Sequence, residues 1–284
     1  MSPGTVAGWG NWMSSAPSAP PSVMPTVYLN GRFLSLEEAT VPVMDRGFLF
    51  GDGVYEVIPV YDRQPFRLDE HLTRLQDSLA GIRLANPHTA AEWSGLVARI
   101  VAASPWPDAG IYLQVTRGPG PRDHAFPRAV HPTVLLMPME LAPPPAELVA
   151  RGVAAITAED NRWSRCDLKT TSLLANVLLR QLSVDAGCAE TILVRGGQLM
   201  EGSSSSVLVV RDGVILAPPK TPLILPGITY DVVLELAARE GLPHVVRPVT
   251  EGELRSADEI WITSSTKEIL AIPRLDGQAI GNGG

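Results

Sequence analysis

Lysine is scarce in this chain of 284 residues: of its 23 basic side chains three are lysines, Lys169, Lys220 and Lys267, and the rest are arginines. Any chemistry that needs a lysine amine therefore has three candidates. Cysteine is nearly absent as well. Cys166 and Cys188 are too few for a disulfide scaffold and read as free thiols of a reducing cytosol, so the expected compartment is the cytoplasm. No Lys/Arg-rich run occurs and the net charge is -7, which speaks against a nucleic-acid binder. No apolar run approaches the roughly 20 residues of a membrane-spanning helix. The first basic residue is Arg32, so the start lacks the positive region of a secretory signal. Residues 1–25 are rich in Ser, Pro and Ala and read as a disordered extension, with Met13 and Met24 as alternative starts.

Several functional signatures are missing too. There is no phosphate-binding P-loop and no Cys/His cluster at zinc spacing, so no metal site is expected. Gly118-Pro119-Gly120 fails the dinucleotide pattern, and Ser203 to Ser206 lack the flanking glycines of a nucleophile elbow.

What is present is an ordinary globular balance, 45% apolar and 19% charged. Val27 to Phe33 reads as a hairpin turning at Asn30-Gly31, and Val54 to Tyr61 as a strand. Leucines at helical spacing predict a helix over Leu68–Leu84, followed by a second helix over Ala90–Ala103. Strands are expected over Ile111–Arg117 and Thr133–Met139. Pro143-Pro144-Pro145 reads as a stiff linker. The expected organisation is the 1–25 extension, a small α/β domain over 26–140, a linker over 141–150 and a larger domain over 151–284. In the second half, strands are expected near Val153–Thr157, Glu190–Arg195, Ser206–Arg211 and Glu259–Thr263. Helices are expected near Thr171–Ala186 and Ile228–Glu240. The fold class is α/β in the broad sense, a mixed α+β chain with strands and helices interleaved.

The neighbourhoods of the lysines rank them. Lys169 lies in Arg162-Trp163-Ser164-Arg165-Cys166-Asp167-Leu168-Lys169, where burial and the two arginines are expected to lower its amine pKa. Lys220, between prolines, reads as a solvated loop residue, and Lys267 as a capping or water-facing one. Glu201, before Gly202 and four serines including Ser204 and Ser205, offers a carboxylate partner for a ring nitrogen, or is a turn residue. Gly227-Ile228-Thr229 opens a helix, and Ser265-Thr266 follows a strand; both suit an anion. Arg74 adds a cation to that set or a charge to a helix surface. Arg122 and His124 can clamp a carboxylate or belong to an exposed loop.

A lysine amine, an anion cradle and a carboxylate are what a pyridoxal 5′-phosphate (PLP) enzyme needs. The blocks Asp45-Arg46-Gly47, Phe50-Gly51-Asp52-Gly53-Val54-Tyr55-Glu56, Arg117-Gly118 with Arg122-Asp123-His124, Arg162-Trp163 with Arg165 to Lys169, Glu201 to Ser205, Gly227-Ile228-Thr229 and Thr263 to Thr266 occur in that order. Together they resemble the fold-type IV PLP enzymes, and most closely the D-amino acid transaminase branch. The resemblance spans about residues 26–281. It implies two α/β domains with PLP in the cleft between them, and Lys169 as the Schiff-base lysine that moves the proton between substrate Cα and cofactor C4′. It further implies Glu201 at the pyridine nitrogen and Leu225 beneath the ring. Arg74, Ile228, Thr229 and Thr266 would sit at the phosphate, with Ser204, Ser205, Gly227 and Ser265 around it. Tyr55, Arg122 and His124 would trap the substrate carboxylate. In that branch the Arg and His come from a neighbouring subunit, so a homodimer acting on a small amino acid and a 2-oxo acid is implied. Ser206 departs from the branch, where Asn is frequent. Members also continue with a C-terminal helix, which implies that the 151–284 domain is truncated at its end. Alternatives of the same fold are an L-branched-chain or R-amine transaminase and aminodeoxychorismate lyase. A PLP-binding homologue without turnover is a further one.

Overall fold

The computed structural model describes residues 25–281, so the expected extension over 1–25 lies, apart from Pro25, outside the described residues. The first half builds one antiparallel sheet. A hairpin of β1 (Thr26–Leu29) and β2 (Arg32–Ser35) turns at Asn30-Gly31, both with positive φ as a two-residue turn of this type requires. A short helix α1 (Arg46–Phe50) leads into β3 (Gly53–Tyr61) and β4 (Gln64–Pro65). Helices α2 (Leu68–Gly81) and α3 (Ala90–Ala103) follow, then β5 (Ala109–Thr116) and β6 (Thr133–Glu140). The strand order is β2-β1-β6-β5-β3-β4. Leu72, Leu75 and Leu79 of α2 and Trp93, Val97 and Ile100 of α3 pack on Ile58, Ile111 and Leu136 of the sheet. Each such buried side chain contributes on the order of 2 kcal/mol.

After the Pro run, α4 (Ala146–Arg151) occupies the end of the stretch expected to be a linker, held by a Glu147–Arg151 pair one turn apart. The second half then contains β7 (Ala154–Glu159), α5 (Leu174–Asp185), β8 (Glu190–Arg195), β9 (Gln198–Gly202) and β10 (Ser206–Arg211). It continues with β11 (Val214–Ala217), α6 (Ile228–Arg239), β12 (His244–Val246) and α7 (Glu251–Arg255). The last elements are β13 (Glu259–Ser264), β14 (Glu268–Ala271), β15 (Arg274–Leu275) and β16 (Gln278–Ala279). Two five-stranded sheets result, β12-β11-β10-β13-β14 and β16-β15-β7-β8-β9. Ile192 and Leu199 of one meet Val207, Val209 and Ile262 of the other in a shared core. The opposite face of the first sheet carries α6 through Tyr230 and Val233. The mixed α and β character expected from the sequence is thus observed.

Helix α5 begins three residues later than its sequence pattern suggests, and the reason is tertiary. Thr171 N–H donates to Gly53 O at 3.0 Å, and the hydroxyls of Thr171 and Ser172 both donate to Gly51 O at 3.0 Å. These contacts keep 170–173 irregular against the start of β3, which fixes the segment carrying Lys169.

Candidate active site

A cavity of about 420 Å³ is lined by Tyr55 and Arg74 from the first half and by residues of the second half around Lys169 and Glu201. Lys169 is held by its backbone. Its N–H donates to the buried Ser78 hydroxyl at 3.1 Å, and its carbonyl accepts from Tyr55 N–H at 2.9 Å. The side chain opens onto the cavity, with its amine 4.3 Å from the centre of the Tyr55 ring. Burial lowers the amine pKa to about 8 and the Arg74 charge pushes the same way, against Glu56 and Glu201. The cation involved is not either arginine expected from the sequence. Arg165 is exposed and pairs with Asp167, while Arg162 is committed to Asp160 and Glu201.

Glu201 ends β9. It accepts from Arg162 Nη1 at 2.5 Å and from Leu225 N–H at 3.0 Å. Burial nevertheless raises its pKa to about 7, because Arg162 is shared with Asp160, to which it donates from Nε at 2.9 Å and Nη2 at 3.0 Å. The carboxyl is therefore poised to gain or lose a proton near neutrality, and a cation brought into the cavity would favour its charged form.

The anion cradle is built from three places. Gly227 caps α6 without any side-chain hydrogen bond, and Gly227, Ile228 and Thr229 line the cavity at the positive end of that helix. Ser264 and Ser265 line it from the end of β13. Arg74 is 7% exposed rather than a surface helix charge. Glu56 accepts from its Nε and Nη2, both at 2.8 Å, and from His71 Nδ1 at 2.8 Å. Thr263 Oγ1 is buried in the same wall with no hydrogen-bond partner. Ser204 and Ser205 complete the lining, and both hydroxyls donate to the buried Glu190, at 3.1 and 2.8 Å. Gly202 is required beside them: a Cβ there would lie 2.3 Å from Ser205 Oγ and 3.0 Å from Glu190 Cδ.

Eleven of the fourteen site residues named from the sequence meet around this cavity, Leu225 included, and three do not. Thr266 lies within the turn closed by Lys267 N–H to Ser264 O, and lines a small hollow with Tyr61 and Glu268. Arg122 and His124 stand on an exposed loop away from their own chain's cavity, both against the Phe50 ring. Lys267 does not simply face water: its amine sits 3.6 Å from Glu190 Oε2. Lys220 is a loop residue as expected, paired with Asp231. Sequence reasoning missed the supporting shell of Asp160, Arg162, Glu56, His71 and Glu190. One signal was available, a glutamate inside an apolar strand together with His71 and Arg74 three residues apart on a helix.

This donor set fits PLP: an uncapped helix start, an arginine, serines and an orphaned threonine hydroxyl for a phosphate, a poised amine for an aldehyde and a buried carboxyl for a ring nitrogen. The chain matches the amino-transferase class IV family over residues 53–275. It is 43% identical to a D-alanine aminotransferase of Bacillus licheniformis over 90% of both chains. Its fold superposes on a branched-chain amino acid aminotransferase of Escherichia coli with a TM-score of 0.85 and 26% identity, covering 92% of this chain and 90% of the other. A PLP-bound hypothetical aminotransferase of Mycobacterium tuberculosis gives a TM-score of 0.77 at 25% identity, covering 90% and 92%. With its amine, carboxyl and anion cradle assembled on this fold, the chain belongs to the class IV aminotransferases.

Proposed function

We propose that the protein transfers amino groups between D-amino acids and 2-oxo acids, of the pyruvate or 2-oxoglutarate type, as a cytoplasmic homodimer. The observation that carries the reading is the poised Lys169 amine sharing one cavity with the Arg162-held Glu201. When bound, PLP supplies an aldehyde for the amino group and a ring that spreads the negative charge left at the substrate Cα. Arg74, Gly227, Ile228, Thr229 and Ser265 would hold its phosphate, and Glu201 would hold the proton at its ring nitrogen. Ser204 and Ser205 flank it and Leu225 packs on the ring. Lys169, whose lowered pKa of about 8 makes its free base accessible just above neutrality, removes the proton from the donor Cα and later returns one to the acceptor Cα. Tyr55 bounds the substrate side of the cavity. The flanking units, 26–140 and 151–284 around the 141–150 connection, act as two domains with the cofactor in the cleft.

The D-specific part of the proposal rests on Arg122 and His124, supported by the 43% identity to the Bacillus licheniformis D-alanine aminotransferase. Their loop does not reach the cavity of its own chain, so they would trap the α-carboxylate in the partner's site. An L-branched-chain activity is the second reading, favoured by the superposition on the Escherichia coli branched-chain enzyme. Mixing the PLP-loaded protein with D-alanine or with L-leucine, while following the aldehyde-form absorbance, separates the two. Loss of the band with D-alanine alone is the expected result. Loss with L-leucine alone overturns the assignment of Arg122 and His124.

A further inference from the structure

The Asp45-Arg46-Gly47 block places no side chain on the cavity wall, yet Arg46 is only 3% exposed. Its guanidinium reaches four acceptors. Nε donates to Asp52 Oδ2 at 2.8 Å, Nη1 to Asp123 O at 2.5 Å and Ala125 O at 3.3 Å, and Nη2 to His124 O at 3.5 Å. Three successive carbonyls of an exposed loop thus converge on one buried cation. The loop's own hydrogen bonds are few: Asp123 N–H donates to Pro121 O and Ala125 N–H to Asp123 Oδ1, while its far side rests through the Phe126 ring on the Arg117 guanidinium, 3.8 Å away. Its root is tied to the same segment, through Arg46 N–H to Gly118 O at 3.0 Å and Gly120 N–H to Met44 O at 3.1 Å. Gly118 has φ +79°, and a Cβ there would lie 1.9 Å from His131 O, so the root turn admits no other residue. Asp52, which orients the guanidinium, is itself held by Arg117 Nε at 2.9 Å. The Phe50 ring links the two ends of the device, 4.8 Å from the Arg46 guanidinium and 5.5 Å from the His124 ring.

We propose that Arg46, oriented by Asp52, is the positioning residue of the Arg122–His124 loop and presets those two side chains for capture of a substrate carboxylate. The inference rests on the carboxylate role given to them above. A planar fork with donors on separate nitrogens can serve several carbonyls and Asp52 together; an ammonium cannot span them. The side chain acts through the loop and touches no substrate.

The test uses the PLP-loaded protein and two variants, Arg46→Lys, which keeps a cation beside Asp52, and Arg46→Met. Two capture reagents are compared by the loss of aldehyde-form absorbance: aminooxyacetate, which carries a carboxylate, and methoxyamine, which does not. Amide hydrogen exchange over residues 121–127 is measured alongside, with the thermal midpoint as a check of folding. The expected result is faster exchange in that loop and a fall of roughly ten- to a hundredfold in the aminooxyacetate-to-methoxyamine rate ratio. Unchanged exchange in both variants overturns the anchoring. Faster exchange with an unchanged ratio, while Arg122→Met lowers it, overturns the positioning role. An unchanged ratio in Arg122→Met overturns the carboxylate reading itself, and this inference with it.

Discussion

The state of a single amine sets how this protein takes up its cofactor. Lys169 is drawn down to about 8 by burial and by Arg74, so its neutral fraction grows as pH rises through that value. The rate at which the cofactor-free protein captures PLP is therefore expected to climb with pH and level off above about 8, well below the range of an exposed lysine. A rate still climbing steeply at about pH 10 would show that the amine is solvated. At this scale Lys169 and Glu201 were legible in the sequence, one through the rarity of lysine and the other through its Gly/Ser-rich setting. The state of Arg74 was not, because its burial depends on Glu56, a residue of another element whose facing is set by the sheet. The placing of Thr266 was not legible either: in a tight turn adjacent residues line different hollows, Ser265 the cavity and Thr266 the smaller one, and sequence adjacency hides which is which.

Between residues and the whole lie the strands and helices that hold the polar groups. Glu56 of β3 binds α2 to the sheet through Arg74 and His71. Burial alone would raise its pKa, but the arginine and histidine bring it to about 2. A carboxyl of ordinary pKa in the unfolded chain and about 2 in the folded one stabilises fully above the unfolded value, and that stabilisation disappears as pH falls toward about 2. Urea midpoints should therefore drop between about pH 5 and about pH 3, and drop less steeply in Glu56→Gln. Equal slopes in the two proteins would remove Glu56 from the account. Long periodic elements such as α3, β8 and β10 were readable to the residue, since their apolar pattern matches their burial. The short α1, α4 and α7 and the strands β14 to β16 were not. Their few residues carry no full period, and partners distant in sequence, such as Ala154 for Arg274, define them.

For the molecule as a whole, the outer face of α5 stands out. Leu174, Leu178 and Leu182 recur at helical spacing and are 73, 61 and 46% exposed, and beside them Val177, 59% exposed, lines the cavity. Under the proposed shared site a second copy of the chain would cover this face, since Arg122 and His124 stand away from their own cavity. Leu178→Asp should give a monomer by size-exclusion light scattering and lose most turnover, while Lys169 still binds PLP. A wild-type chain that is active as a monomer would sink the shared-site arrangement. Among the described residues no helix is long and apolar enough to cross a membrane. The disposition of the three lysines has a further consequence for anyone counting sites. Lys220 is engaged by Asp231 and Lys267 lies beside Glu190, while Lys169 opens inward. Side-chain amines thus offer a single exposed landing point, Lys220 in its surface ion pair, and a reductive tag that welds pyridoxal phosphate to amines becomes a gauge of loaded sites read over a small, fixed background.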